Sequence, residues 1–88
     1  MKLTKKVARL IERERVCRIA TCGASGVPHL VPACPVVAGG KIYVGTGNKG
    51  RKVKNLRENP QIAVTVDIYT EDWDRLVGVM VQDRKSVV

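Results

Sequence analysis

Residues 61–69 alternate without a break: Ile62, Val64, Val66 and Ile68 fall on one face, and Ala63, Thr65, Asp67 and Tyr69 on the other. A period of two belongs to an extended strand and excludes a helix. A strand with one apolar face commits the chain to a sheet that must be covered on that side. The cover has to come from little material, because the chain has only 88 residues. A domain of this size buries only about 60% of the surface its unfolded chain exposes. Small domains in that position often rely on a metal, disulfides or a second copy of themselves.

Strand character recurs on both sides of this segment. Residues 16–22 read as a strand closed by the turn cluster Gly23-Ala24-Ser25-Gly26. A second extended run covers residues 29–37, where Pro32 and Pro35 require a bend or an edge position. Ala38-Gly39-Gly40 predicts a tight hairpin into a strand over residues 41–46. After the polar loop 70–74, a last strand is expected over residues 76–82. Two segments read as helices. Over residues 3–15, Val7, Leu10 and Ile11 fall at helical spacing behind Thr4 as N-cap. Residues 51–58 form a shorter helix with Val53 and Leu56 inward, stopped by Asn59-Pro60. Helix, three strands, short helix, two strands, with hairpin-length links, predicts one domain over residues 1–88. Its class is α+β and mainly β, a small antiparallel barrel. With Trp73, Tyr43 and Tyr69 as the whole aromatic supply, the core must be built from Val, Ile, Leu and Ala.

The formal net charge of +8 points to an anionic partner, whether nucleic acid, a phosphorylated cofactor or an acidic membrane. No apolar run approaches the roughly 18 residues of a membrane span. The basic start leads into a charged amphipathic stretch and not into a signal-peptide region. Cys17, Cys22 and Cys34 are odd in number and form no C-x-x-C pair, which suits reduced thiols. Together these features predict a cytoplasmic protein.

The richest motif is Gly45-Thr46-Gly47-Asn48-Lys49-Gly50-Arg51-Lys52. It contains G-x-G-x-x-G between a strand and a helix, with Asp67 downstream, near the dinucleotide fingerprint. A doubly wound fold needs crossovers that this chain has no length to supply. Gly45 and Gly50 also have P-loop spacing, but Arg51-Lys52 stands where Lys-Ser/Thr would be, so the hydroxyl for magnesium is missing. What both patterns share remains: a glycine-rich turn into a helix N-terminus aims backbone N–H groups at one spot. Lys49, Arg51, Lys52 and Lys54 add cations suited to phosphate. A solvated basic turn is the plain alternative.

The set Cys17, Cys22, His29 and Cys34 has the look of a zinc knuckle. Cys17 and Cys22 face opposite sides of one predicted strand, about 16 Å apart, so a tetrahedral site is not expected, and the thiols are read as small buried side chains. The basic first helix could lie on nucleic acid, but aromatic stacking partners and a recognition motif are lacking. Trp73, in the acidic loop Glu71-Asp72-Trp73-Asp74, either covers an open barrel end or edges a ligand cleft. No nucleophile–base pair or carboxylate cluster marks a catalytic residue, so any chemistry would belong to a bound cofactor.

In order along the chain stand Arg18-Ile-Ala-Thr21, Gly26-Val-Pro28-His29-Leu-Val-Pro32, Ile42-Tyr43-Val44-Gly-Thr46, Gly50-Arg51-Lys52-Val53-Lys54-Asn55-Leu56-Arg57-Glu58-Asn59-Pro60, the strand from Ile62 to Asp67, and Trp73 with Leu76-Val77-Gly78-Val79. From Val7 to about Val81 this resembles the pyridoxamine 5′-phosphate oxidase-like, FMN-binding split β-barrel family. The resemblance implies a six-stranded split barrel forming a two-fold homodimer, with FMN, or a deazaflavin coenzyme, in clefts between subunits. It implies that Arg51 and Lys52, helped by Lys49, hold the flavin phosphate, and that His29, Val31, Pro32 and Thr46 line the ring. The activity implied is that of a flavin-dependent oxidoreductase of unknown substrate. The alternatives are a non-catalytic flavin-carrying or dimerisation module and a basic nucleic-acid-binding domain. Two departures stand out. The second strand reads Leu30-Val31-Pro32-Ala33-Cys34-Pro35, without the arginine and lysine of the true oxidases, which argues against pyridoxamine phosphate oxidation. The chain also stops early, with Asp83 at the usual glycine, so an unpaired strand edge is expected for a dimer partner to cover.

Overall fold

The computed structural model describes residues 3–47 and 49–84. It contains α1 (Lys5–Glu14), β1 (Cys17–Cys22), β2 (Pro28–Ala33), β3 (Pro35–Ala38), β4 (Lys41–Val44), α2 (Arg51–Glu58), β5 (Gln61–Ile68), a 3₁₀ turn (Trp73–Arg75) and β6 (Val77–Arg84). Four strands form an antiparallel sheet in the order β2-β1-β5-β6, and β3 and β4 form a separate hairpin. The α+β, mainly β architecture is the one the sequence predicts.

The extended run over 29–37 is two strands in two sheets, broken at Cys34. The prolines explain the division. Proline has no N–H for a ladder, and β2, which holds Pro28 and Pro32, accordingly lies at the edge of its sheet. Pro35 then opens β3 after the chain has changed direction. Gly39 and Gly40 both have positive φ, 58° and 77°, as a type I′ hairpin turn demands. Helix α1 begins at the expected cap, where the Thr4 hydroxyl accepts from the Val7 N–H at 3.3 Å. It ends at Glu14, because Arg15 turns left-handed (φ 62°) and donates its N–H to the Ile11 carbonyl. β6 runs to Arg84, two residues beyond its expected end, and the final residues 85–88 lie outside the described part.

The register lines up the apolar stripe that the sequence announces. Ile19 lies opposite Val31 on one side and Val64 on the other, and Val64, Val66 and Ile68 face Val81, Val79 and Val77. Ile11 of α1 closes this stripe, giving a core of Ile11, Cys17, Ile19, Val64 and Val66 ringed by Val7, Leu10, Val31, Val37, Ile42 and Ile62. No aromatic ring is buried among the described residues: Tyr43, Tyr69 and Trp73 are all exposed.

The cysteines do not share one role. Cys17 is fully buried, Cys22 half-buried and Cys34 exposed, so reading all three as buried side chains holds only for the first. Burial pushes the Cys17 thiol above its ordinary value and favours the neutral, unreactive form. Alkylation of the native protein at neutral pH should modify Cys34 rapidly and Cys17 only after unfolding. Mass mapping that found Cys17 labelled as fast as Cys34 would contradict this packing.

Candidate functional site

The loop after β4 delivers the chain to the N-terminus of α2, and three contacts fix where that helix sits. The Asn55 amide donates to the Thr21 hydroxyl at 3.1 Å, with both residues buried. Glu58 Oε1 accepts from the Ala24 N–H at 3.0 Å. Gly23 lies buried between them, and Asn55 and Glu58 fill the space where a side chain would stand. Together these pin α2 against β1 and its following turn.

Thus the inward position of α2 belongs to Asn55, while Val53 and Leu56 are half-buried at its sides. Sequence periodicity picks out the two apolar residues and passes over the asparagine between them. The available signal was a polar residue on an apolar helix face opposite a strand carrying Thr21. Replacing Asn55 with leucine should cost about 1–3 kcal/mol, because it leaves the Thr21 hydroxyl buried without a partner. Urea unfolding checks this, and pairing it with Thr21→Val should recover part of the loss.

Helix α2 presents an open N-terminus. Gly50 is the N-cap and supplies no side-chain bond, and the first turn holds no acidic residue. Its first N–H groups therefore receive no side-chain cap from Gly50, and the helix dipole adds partial positive charge there. Lys49, Arg51 and Lys54 are exposed and Lys52 is half-buried. Among the described residues none of these four side chains makes an ion pair or a side-chain hydrogen bond.

Beside this end lies a cleft of about 250 Å³, lined by Ser25, Val27, Pro28, His29, Arg51 and Asn55. His29 reaches it from β2, on the same face as its ladder partner Thr21. Its Nδ1 is buried with no hydrogen-bond partner among the described residues. A buried, unpaired ring nitrogen is costly unless something arrives to pair with it. The cleft therefore joins the Arg51 guanidinium and the His29 ring beside an uncapped helix end. Such a donor set fits a phosphate ester.

Of the residues singled out from sequence, the fold brings His29 and Arg51 together here. Val31 packs against the core, and Pro32 is exposed on the opposite face of β2, across from Arg18. Thr46, Lys49 and Lys52 are near in sequence but are not among the residues lining the cleft. Asn48 of the same loop lies outside the described residues. Among the described residues no three His, Cys, Asp or Glu side chains gather at one point, and no helix is long and apolar enough to cross a membrane.

A family profile described as pyridoxamine 5′-phosphate oxidase matches residues 3–85. Among solved structures, a conserved hypothetical protein of Mycobacterium tuberculosis is similar with a TM-score of 0.83 and 28% identity, over 93% of this chain and 51% of that one. A heme storage protein of Vibrio cholerae is similar with a TM-score of 0.79 and 20% identity, over 100% of this chain and 64% of that one. A heme binding protein of Mycobacterium smegmatis follows at 0.66 and 20%, over 89% of this chain and 33% of that one. The chain therefore spans about half to two thirds of the length of the first two structures it resembles. No curated protein matches it.

Proposed function

The chain belongs to the pyridoxamine 5′-phosphate oxidase family, and from that premise we propose that the cleft between β2 and α2 binds FMN by its phosphate. The observation that carries this is the convergence of Arg51 and His29 on one cleft beside an uncapped helix end. Arg51 can grip two phosphate oxygens through parallel N–H bonds, while Lys49 and Lys52 add mobile charge. When bound, FMN supplies hydride or electron transfer. The protein's own share is to hold the phosphate, orient the ring and limit water. A cleft of about 250 Å³ in one chain takes a phosphate and part of its sugar chain, so the ring needs a further wall. A second copy of the chain provides it in this reading, which makes the working form a homodimer. β2 carries no lysine or arginine, so a substrate other than pyridoxamine phosphate is proposed.

Purified protein is expected to take up FMN and show flavin absorbance, and loss of that absorbance on adding NAD(P)H would distinguish an oxidoreductase from a flavin carrier. A deazaflavin coenzyme would reveal itself by its own spectrum under the same reconstitution. Replacing Arg51 and Lys52 together by alanine should weaken FMN at least about 10-fold, since one charge-assisted hydrogen bond alone is worth about 1.5–3 kcal/mol. Unchanged affinity in that variant would remove the phosphate assignment. A second reading, heme binding, is favoured by the names of two structural neighbours and by the free nitrogen of the sole histidine. A Soret band that persists through purification and disappears in His29→Ala would select it over flavin.

A further inference from the structure

Helix α1 divides its residues between two faces. Val7, Leu10 and Ile11 turn toward the sheet and pack in or against the core. At 3.6 residues per turn, the opposite side carries Lys5, Lys6, Arg9 and Arg13, all of them exposed. From Lys5 to Arg13 this stripe runs about 12 Å along the helix axis. The Leu3 N–H donates to the Gly40 carbonyl at 2.9 Å, which sets exposed Lys41 beside the start of the stripe. Of the four helix cations only Arg13 makes an ion pair among the described residues, with Glu14 at 3.6 Å. Glu12, at the margin of the stripe, pairs with none of them.

Helix electrostatics does not favour this placement. Lys5 and Lys6 occupy the first turn, which holds no acidic residue, against the positive end of the helix dipole. Lys5 and Arg9, and again Arg9 and Arg13, stand four residues apart, where like charges repel. Only Arg13, in the last turn, sits where the dipole favours a cation. A solvated helix face gains nothing from such an arrangement, and departures from local preference of this kind concentrate at functional surfaces. An anion that spans the stripe would reverse the balance. A line of cations suits a linear polyanion. α1 exposes no large apolar side chain, because its apolar residues are committed to the core, so it has nothing to insert into a bilayer. It also carries no aromatic ring to stack on a base. That absence bears on the reading of bases by this helix, whereas phosphate contacts need only Lys and Arg.

We infer that the outer stripe of α1 binds the phosphate backbone of duplex nucleic acid, without regard to sequence, through Lys5, Lys6, Arg9 and Arg13. The duplex carries one charge per about 1.7 Å of its axis, so a stripe of this length meets several phosphates at once. None of the four residues lines the cleft, and the test needs no cofactor. It compares two double variants of equal net charge, Lys6→Gln with Arg9→Gln on α1 and Lys52→Gln with Lys54→Gln on α2. Binding is read by fluorescence anisotropy with a short labelled DNA duplex of mixed sequence. For the unaltered chain, log K should fall against log salt with a slope of about −3 to −4, as four phosphate contacts require. The α1 variant should bind at least about 30-fold more weakly at about 0.1 M salt, and its slope should be shallower by about two. The α2 variant should bind almost as the unaltered chain does and keep its slope. Thermal unfolding of the α1 variant should begin no earlier than that of the unaltered chain, because repulsion is relieved. Should it begin earlier, Lys5→Gln with Arg13→Gln repeats the comparison with the same expected loss. Equal losses in the α1 and α2 variants, an α1 variant that binds as well as the unaltered chain, or a flat salt dependence would each overturn the inference. So would tighter binding to vesicles containing anionic phospholipid than to the duplex at the same salt, which would assign the stripe to a membrane surface.

Discussion

Ile11→Ala is expected to lower the stability of the fold by about 2–5 kcal/mol, the largest effect of any single core substitution here. Ile11 is 1% exposed and is the one fully buried side chain that α1 contributes to the core. Its neighbours in that core are Cys17, Ile19, Val64 and Val66. Three of those four are β-branched and stiff at χ1, and they stand on strands locked by the ladders of β1, β5 and β6. They have little freedom to collapse into the space left behind, which places the cost toward the upper part of the range. A domain of this length has roughly 4–13 kcal/mol to lose in total. The variant should therefore unfold at much lower urea, and some preparations should be largely unfolded at 37 °C. An unchanged midpoint would mean that α1 does not cap the sheet as described.

Gly23→Ala should be nearly as damaging, for a local reason. A β-carbon there would stand 2.8 Å from Asn55 Oδ1 and closer still to Glu58 Oε1. Glu58 is exposed and its end could swing away, though doing so gives up the bond to the Ala24 N–H. Asn55 cannot withdraw without releasing Thr21 in a buried setting. The helix must shift instead. The expected cost is about 1–3 kcal/mol from the overlap, plus about 1 kcal/mol for the weakened buried hydrogen bond. Gly45→Ala is the matched control, since nothing lies within 4 Å of a β-carbon there, and it should change stability by less than about 0.5 kcal/mol. Equal stability of the two variants would contradict the close fit of α2 on the β1–β2 turn. Because α2 carries Arg51, the Gly23 variant should also lose FMN affinity, while the Gly45 variant should lose less.

Both results bear on what could be read from the residues alone. The alternation of β5 led directly to the buried pair Val64 and Val66, and the spacing of α1 led to Ile11, because side-chain period and burial are linked by backbone geometry. The Ala38-Gly39-Gly40 hairpin was legible because only that turn type calls for two successive positive φ values. The division of the 29–37 run was legible only in part. Pro32 and Pro35 announced a bend or an edge, but not that Cys34 separates two sheets, since which strands pair depends on partners distant in sequence. The glycines and cations of the turn before α2 suggest an anion site, which remains a proposal. His29 and Arg51 lining one cleft was not, because strand β2 and helix α2 meet only through the packing of Asn55, Gly23 and Thr21. That clamp left a faint mark in sequence, a polar residue on an apolar helix face, and its meaning depends on a hydroxyl 34 residues away.

The same logic separates what the cleft's own residues can recognise from what a second wall would add. In the proposed function Arg51 and the open end of α2 act on the phosphate, and they have no means of telling one flat ring from another. The central claim therefore has a direct measurement: calorimetric titration of the unaltered protein with FMN and, separately, with riboflavin, which has the same ring and no phosphate. If the cationic end of α2 is a phosphate site, FMN binds at least about 10-fold more tightly than riboflavin, as one or more charge-assisted hydrogen bonds require, and added salt narrows the gap. Equal affinity for the two, at any ionic strength, would contradict the account.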